Sequence, residues 1–176
     1  MTELAGAAAL SCAVTVFLTW PQALHPRLVA DHFDPYFSIW RLGHLAHALR
    51  RWPMHLFDGN IFYPATNTLA YSDATLLQGL IAAPLLWAHL SPSLVYNLLL
   101  LVGFVGSGVG MYVLARHLTG EIWPALVATM VFTALPYRVE HLMHLEMQWA
   151  MFIPLSLWAT HRTAESGRWR DRKSVV

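Results

Sequence analysis

Two acidic stretches carry the residues best suited to chemistry. The first runs Asp31-His32-Phe33-Asp34-Pro35-Tyr36-Phe37-Ser38-Ile39-Trp40-Arg41, and the second Arg138-Val139-Glu140-His141-Leu142-Met143-His144-Leu145-Glu146. Both border apolar runs, where an ionised side chain is costly unless it has water, a partner or a function. Asp34 is read as a general base, because a carboxylate at a water-facing edge takes the proton of an attacking hydroxyl or amide. Pro35 removes a backbone donor and disfavours helix in the residue before it, so Asp34 is expected on a turn. A helix is expected behind it, from about 38 to 51, with Leu42, Leu45 and Leu49 on its apolar face.

The second acid is Glu140 or Glu146, with Glu140 preferred as nearer the preceding apolar run. In the phosphate-linked chemistry that the family resemblance described below implies, either would share with Asp34 a divalent cation, Mg or Mn, that neutralises a phosphate. Arg41 or Arg138 would do the same without metal, by pairing with phosphate oxygens. On a helix His144 neighbours both Glu140 and His141, which adds it to this acid or metal group. Other polar residues have simpler roles. Asp31, His44 and His47 read as solvated, Arg50 and Arg51 as reaching for headgroups, and Asp58, Asn60 and Asp73 as turn formers.

The elements that position these residues follow from composition. Of 176 residues 56% are hydrophobic and 12% charged, where soluble domains carry about 25% charged. The chain therefore reads as an all-α integral membrane protein. A net charge of +1 argues against a nucleic-acid or polyanion binder. Eight Trp and six Tyr fit interfacial belts. Cys12, the lone cysteine, is expected to pack inside an apolar helix. No P-loop, Rossmann turn, zinc motif or nucleophile elbow is present.

Apolar runs cover 4–24, 74–90, 94–115, 122–137 and 145–160, with a structured loop over 25–73. Gly106 and Gly110 have the small-xxx-small spacing that lets helix backbones approach closely. The basic tail over 161–176 holds Arg162, Arg168, Arg170, Arg172 and Lys173, which the positive-inside rule keeps cytoplasmic. Five crossings would put the long loop inside, and four would put it outside.

Asp34-Pro35-Tyr36-Phe37 with Arg41 behind it resembles the Asp-Pro-aromatic-aromatic signature of oligosaccharyltransferase catalytic subunits. Those belong to the C superfamily of glycosyltransferases, which use polyisoprenyl-linked donors. The stretches Phe57-Asp58-Gly59-Asn60-Ile61-Phe62-Tyr63-Pro64 and Leu69-Ala70-Tyr71-Ser72-Asp73 are similar to those of bacterial membrane proteins placed in that superfamily. The second acidic stretch departs from the pattern, since it lacks an Asp-x-Asp motif. The resemblance implies four spans, an interfacial helix over 74–90, and both acidic loops outside the bacterial cytoplasmic membrane. It implies an enzyme that transfers a sugar from a polyprenyl-phosphate-type donor. Since the superfamily has more spans, the chain reads as the N-terminal part of a longer protein and is expected to be inactive alone. The alternative is a non-catalytic membrane protein, such as a lipid-linked glycan flippase or a partner-binding subunit.

Overall fold

The structure, a computed structural model, describes residues 2–29 and 34–166. Asp31 and the tail residues Arg168, Arg170, Arg172 and Lys173 lie outside the described residues. The described residues form helices and no strand. In chain order these are α1 (Thr2–Leu18), α2 (Asp34–Arg51), α3 (Leu76–Trp87), α4 (Pro92–Thr119), α5 (Ile122–Thr133), α6 (Pro136–Glu140), α7 (Leu145–Gln148) and α8 (Phe152–Glu165).

The long helix α4 is the axis. Pro92 opens it, in the first turn where a missing N–H costs nothing, and Gly120 at φ 72° closes it with a backbone bond to the Arg116 carbonyl. Its glycines let three neighbours come close. A Cβ at Gly106 would lie 2.9 Å from Met151 Sδ, and one at Gly110 3.1 Å from the Met151 carbonyl. Gly108 faces the other way, against Ser11 of α1 and Thr133 of α5. The expected close contact at Gly106 and Gly110 is thus made with α8 and the chain entering it.

Hydrogen bonds fix the directions. Arg116 Nε donates to Glu3 at 3.0 Å at one end of α4, while Gln22 and Asn97 pair at the other, so α1 runs antiparallel to α4. His117 meets His161 at 3.3 Å, so α8 runs parallel to it. α2 and α3 lie together at the Asn97 end. A Cβ on Gly79 would strike Leu45, and Trp87 Nε1 donates to the Ala46 carbonyl at 3.0 Å.

Prolines set several boundaries that the apolar runs misplace. The run over 4–24 is helical only to Leu18, and turns follow around Pro21. The run over 145–160 is two helices, because Pro154 has no N–H for the Ala150 carbonyl, which Ile153 takes instead at 3.1 Å. Pro136 likewise leaves the Phe132 carbonyl open between α5 and α6, and Arg138 Nη1 fills it at 3.3 Å. At Pro35 the expectation fails in the other direction. Asp34 is the first residue of α2 rather than part of a turn, since Pro35 in a first turn is preorganised for helix.

Among the described residues two stretches are long and apolar enough to cross a membrane, Pro92–Thr119 and Ile122–Glu140. The twelve residues of α3 rise about 18 Å, short of a hydrocarbon core of about 30 Å. Phe17, Trp123, Val127, Met130, Val131, Phe152, Ile153 and Leu157 are exposed around the bundle. Cys12 is exposed too, so it faces outward instead of packing inside.

Candidate functional site

At the Asn97 end of α4 the two acidic stretches meet. Asp34, Ser38, Arg41 and Leu45 share one face of α2, spaced three and four apart. That face turns toward the segment between α6 and α8. Arg41 is 3% exposed, and its Nη2 donates to Glu146 Oε2 at 3.0 Å and to Ser38 Oγ at 2.8 Å. Its Nη1 donates to the Asp73 carbonyl, and its guanidinium lies 4.9 Å from the Phe37 ring centre. One buried cation thereby ties α2 to the chain before α3 and to α7. About two turns nearer the start of α2, Asp34 Oδ2 lies 3.5 Å from His144 Nε2. Asp34 is exposed and His144 half-buried, so this second pair borders solvent above the Arg41–Glu146 pair.

The segment carrying His144 and Glu146 is held by polar side chains inside the bundle. Tyr96 donates its hydroxyl to the Met143 carbonyl at 2.9 Å. Gln148 Nε2 donates to the carbonyls of His141 at 2.7 Å and Arg138 at 3.2 Å. Trp149 Nε1 donates to the Leu99 carbonyl at 3.0 Å, and Ser107 Oγ to the Gln148 carbonyl at 3.0 Å. On the other side of α4, Asn97 donates to the carbonyls of Pro26 and Leu28, both at 2.7 Å. That anchors the chain leaving α1 toward Asp34. These uncharged residues looked like ordinary members of apolar or mixed runs. A buried Asn or Gln signals a bracket because its amide must find partners.

The sequence-predicted residues divide clearly. Asp34, Arg41, His144 and Glu146 come together. Glu140 is exposed and makes no ion pair or hydrogen bond among the described residues, so Glu146 and not the preferred Glu140 meets α2. Arg138 is 3% exposed, lies 4.4 Å from the Phe104 ring centre and donates to the Phe132 and Gln148 carbonyls. Both arginines offered for phosphate are therefore buried and engaged. A hard cation needs several oxygen ligands, and Glu146 already neutralises Arg41. Among the described residues Asp34 is the one carboxylate here not paired with arginine, a poor donor set for Mg or Mn. Asp58 accepts the Asn67 N–H at 2.7 Å and pairs with His55 Nδ1 at 2.9 Å, and Asn60 accepts Trp40 Nε1 at 3.1 Å, so these two side chains tie distant parts of the loop together rather than bonding their own turn backbone. His44 and His47 line a groove of about 620 Å³ with Trp40, Trp52, His55, Asp58 and Asn60.

Chemically, the arrangement presents one accessible carboxylate beside an imidazole. His144 can orient Asp34 or carry positive charge beside it, and the Asp34 side chain, 57% exposed, stays open to an acceptor group on its solvent side. No family model, characterised protein or solved structure matches the chain.

Proposed function

We propose that this chain belongs to a membrane glycosyltransferase that moves a sugar from a polyprenyl-phosphate-type donor to an acceptor at the outer face of a bacterial cytoplasmic membrane. The observation that carries the reading is the Asp34–His144 pair, which two acidic loops far apart in sequence supply at one end of the bundle. Asp34 acts as general base toward the acceptor. His144 orients that carboxylate and, when protonated, offers charge to the departing phosphate. Arg41 and Glu146 position the pair by locking α2 to α7. No step is assigned to a divalent cation.

Supporting a bilayer setting are the two long apolar stretches and the apolar belt of exposed side chains on α1, α5 and α8. In this reading α1, α4, α5–α6 and α7–α8 cross or reach through the bilayer, α3 lies at its outer surface, and the Glu3 end faces the cytoplasm. The second reading, a flippase for lipid-linked glycans or a partner-binding subunit, draws on the buried cations Arg41 and Arg138 and the partly buried Glu146, which suit a translocation path as well. Glycolipid profiles of membranes expressing the full-length protein or its Asp34→Ala variant separate the two. The enzyme reading expects a glycosylated product in the parent that the variant lacks. Equal product in both removes Asp34 from catalysis.

A further inference from the structure

A second cluster lies at the opposite end of α4 from Asp34. His117 is on the last turn of α4, and His161 and Glu165 are four apart on one face of α8. From Tyr96 to His117, α4 rises about 30 Å, at roughly 1.5 Å per residue, so this cluster is independent of the site above. Four atoms of these three residues converge there. His117 Nε2 is 3.3 Å from His161 Nδ1 and 3.1 Å from Glu165 Oε2, and His161 Nδ1 is 3.3 Å from Glu165 Oε1.

Hydrogen bonding cannot satisfy all three contacts at once. A neutral imidazole has one N–H, and each of these two nitrogens faces both the other nitrogen and a carboxylate oxygen. If both nitrogens donate to Glu165, their hydrogens oppose each other. If one donates to the other nitrogen, the acceptor's lone pair is taken and its own contact with Glu165 has no proton. A cation at the centre of the trio meets all three through lone pairs. The spacing also fits: donors about 2.0–2.1 Å from a tetrahedral zinc ion stand about 3.3–3.4 Å apart. Among the described residues this is the group of His, Cys, Asp and Glu whose donor atoms converge closely enough to hold an ion.

We propose that His117, His161 and Glu165 form a binding site for a divalent transition metal of the zinc class. Two imidazoles and one carboxylate select such an ion over Mg or Ca. The side chains of His161 and Glu165 are about half exposed, at 51% and 56%, which leaves a fourth position for water. Arg162 next to them is directed to the Trp158 ring, 5.4 Å away. Bound metal would cross-link the ends of α4 and α8, which otherwise meet through Gly106, Gly110 and Met151.

The full chain, purified in detergent without a histidine tag and stripped with chelator, is titrated with Co²⁺ and then with competing Zn²⁺. One Co²⁺ per chain is expected, with the visible bands of four-coordinate cobalt, which Zn²⁺ abolishes. His161→Ala and Glu165→Gln change exposed side chains, and each is expected to weaken binding by roughly 10–100-fold. The absence of a cobalt spectrum in the parent would overturn the proposal. So would a spectrum that both variants retain at unchanged affinity, because the ion would then lie elsewhere.

Discussion

Arg41 and Glu146, 105 residues apart, form a 3.0 Å ion pair that joins the helix carrying Asp34 to the segment carrying His144. Charge is placed under the site rather than in it. Glu146 keeps some exposure, while Arg41 is buried against Ser38, Phe37 and the Asp73 carbonyl. Removing one member of a buried pair leaves the other uncompensated. Arg41→Met should destabilise the protein by about 3 kcal/mol, and the double change Arg41→Met with Glu146→Gln by less than the single one. Denaturant or thermal unfolding in detergent measures both. Equal losses would show that Glu146 does not depend on Arg41.

Gly108 is expected to tolerate no side chain. A Cβ there meets Ser11 and Thr133 together, so Gly108→Ala wedges α1 and α5 from α4, at about 1–3 kcal/mol of overpacking. Gly6, on α1, has nothing within 4 Å of its Cβ position, so Gly6→Ala is expected to be neutral or mildly stabilising. Equal unfolding midpoints for the two variants would contradict this packing.

The loop over 53–71 has a pH dependence of definite sign. The Asn67 N–H, and after it His55, hold the Asp58 carboxyl below its ordinary value of 3.8. A depressed carboxyl stabilises the folded loop above its unfolded pKa and loses that contribution as pH falls through the folded value. Protection of the Asn67 amide, relative to its intrinsic exchange rate, should therefore fall as pH drops below the ordinary carboxyl value of 3.8 in the parent. In Asp58→Asn that acid-dependent component should be missing. A variant with the same acid profile as the parent would remove Asp58 as its source.

These residues also mark what was legible in the sequence. Hydropathy and period located the helices, and the acidic stretches named Asp34, Arg41, His144 and Glu146 before any geometry. Helix ends were less legible, because Pro35, Pro136 and Pro154 act through a single missing N–H that an apolar average does not register. Nearness to the preceding apolar run favours Glu140, but nearness in sequence does not decide which glutamate faces α2. The chain turns at 141–144, bracketed by Gln148 and Tyr96. Arg138 reads in the sequence as a cation free to pair with phosphate, since nothing local announces that Phe132, Phe104 and Gln148 will enclose it. His117 and His161 were invisible as a pair, lying 44 residues apart on different helices.

Topology is open to direct labelling. Asn67 and Glu121 are exposed on loops at opposite ends of the bundle. Single cysteines at these positions, in a Cys12→Ser background, should react with a membrane-impermeant thiol reagent from opposite sides in oriented vesicles. Reaction from the same side would contradict the placement of the Asp34 end outside and the Glu3 end inside.

The central claim is that Asp34 takes the acceptor's proton with His144 beside it. The most direct measurement is the rate of glycolipid product formation in membranes carrying matched amounts of folded full-length parent, Asp34→Asn and His144→Ala. Asp34→Asn keeps the shape of the side chain and removes its basicity, so a loss of about 10²–10⁴-fold is predicted, with a smaller loss for His144→Ala. Product formation by Asp34→Asn at the parent's rate would contradict the account.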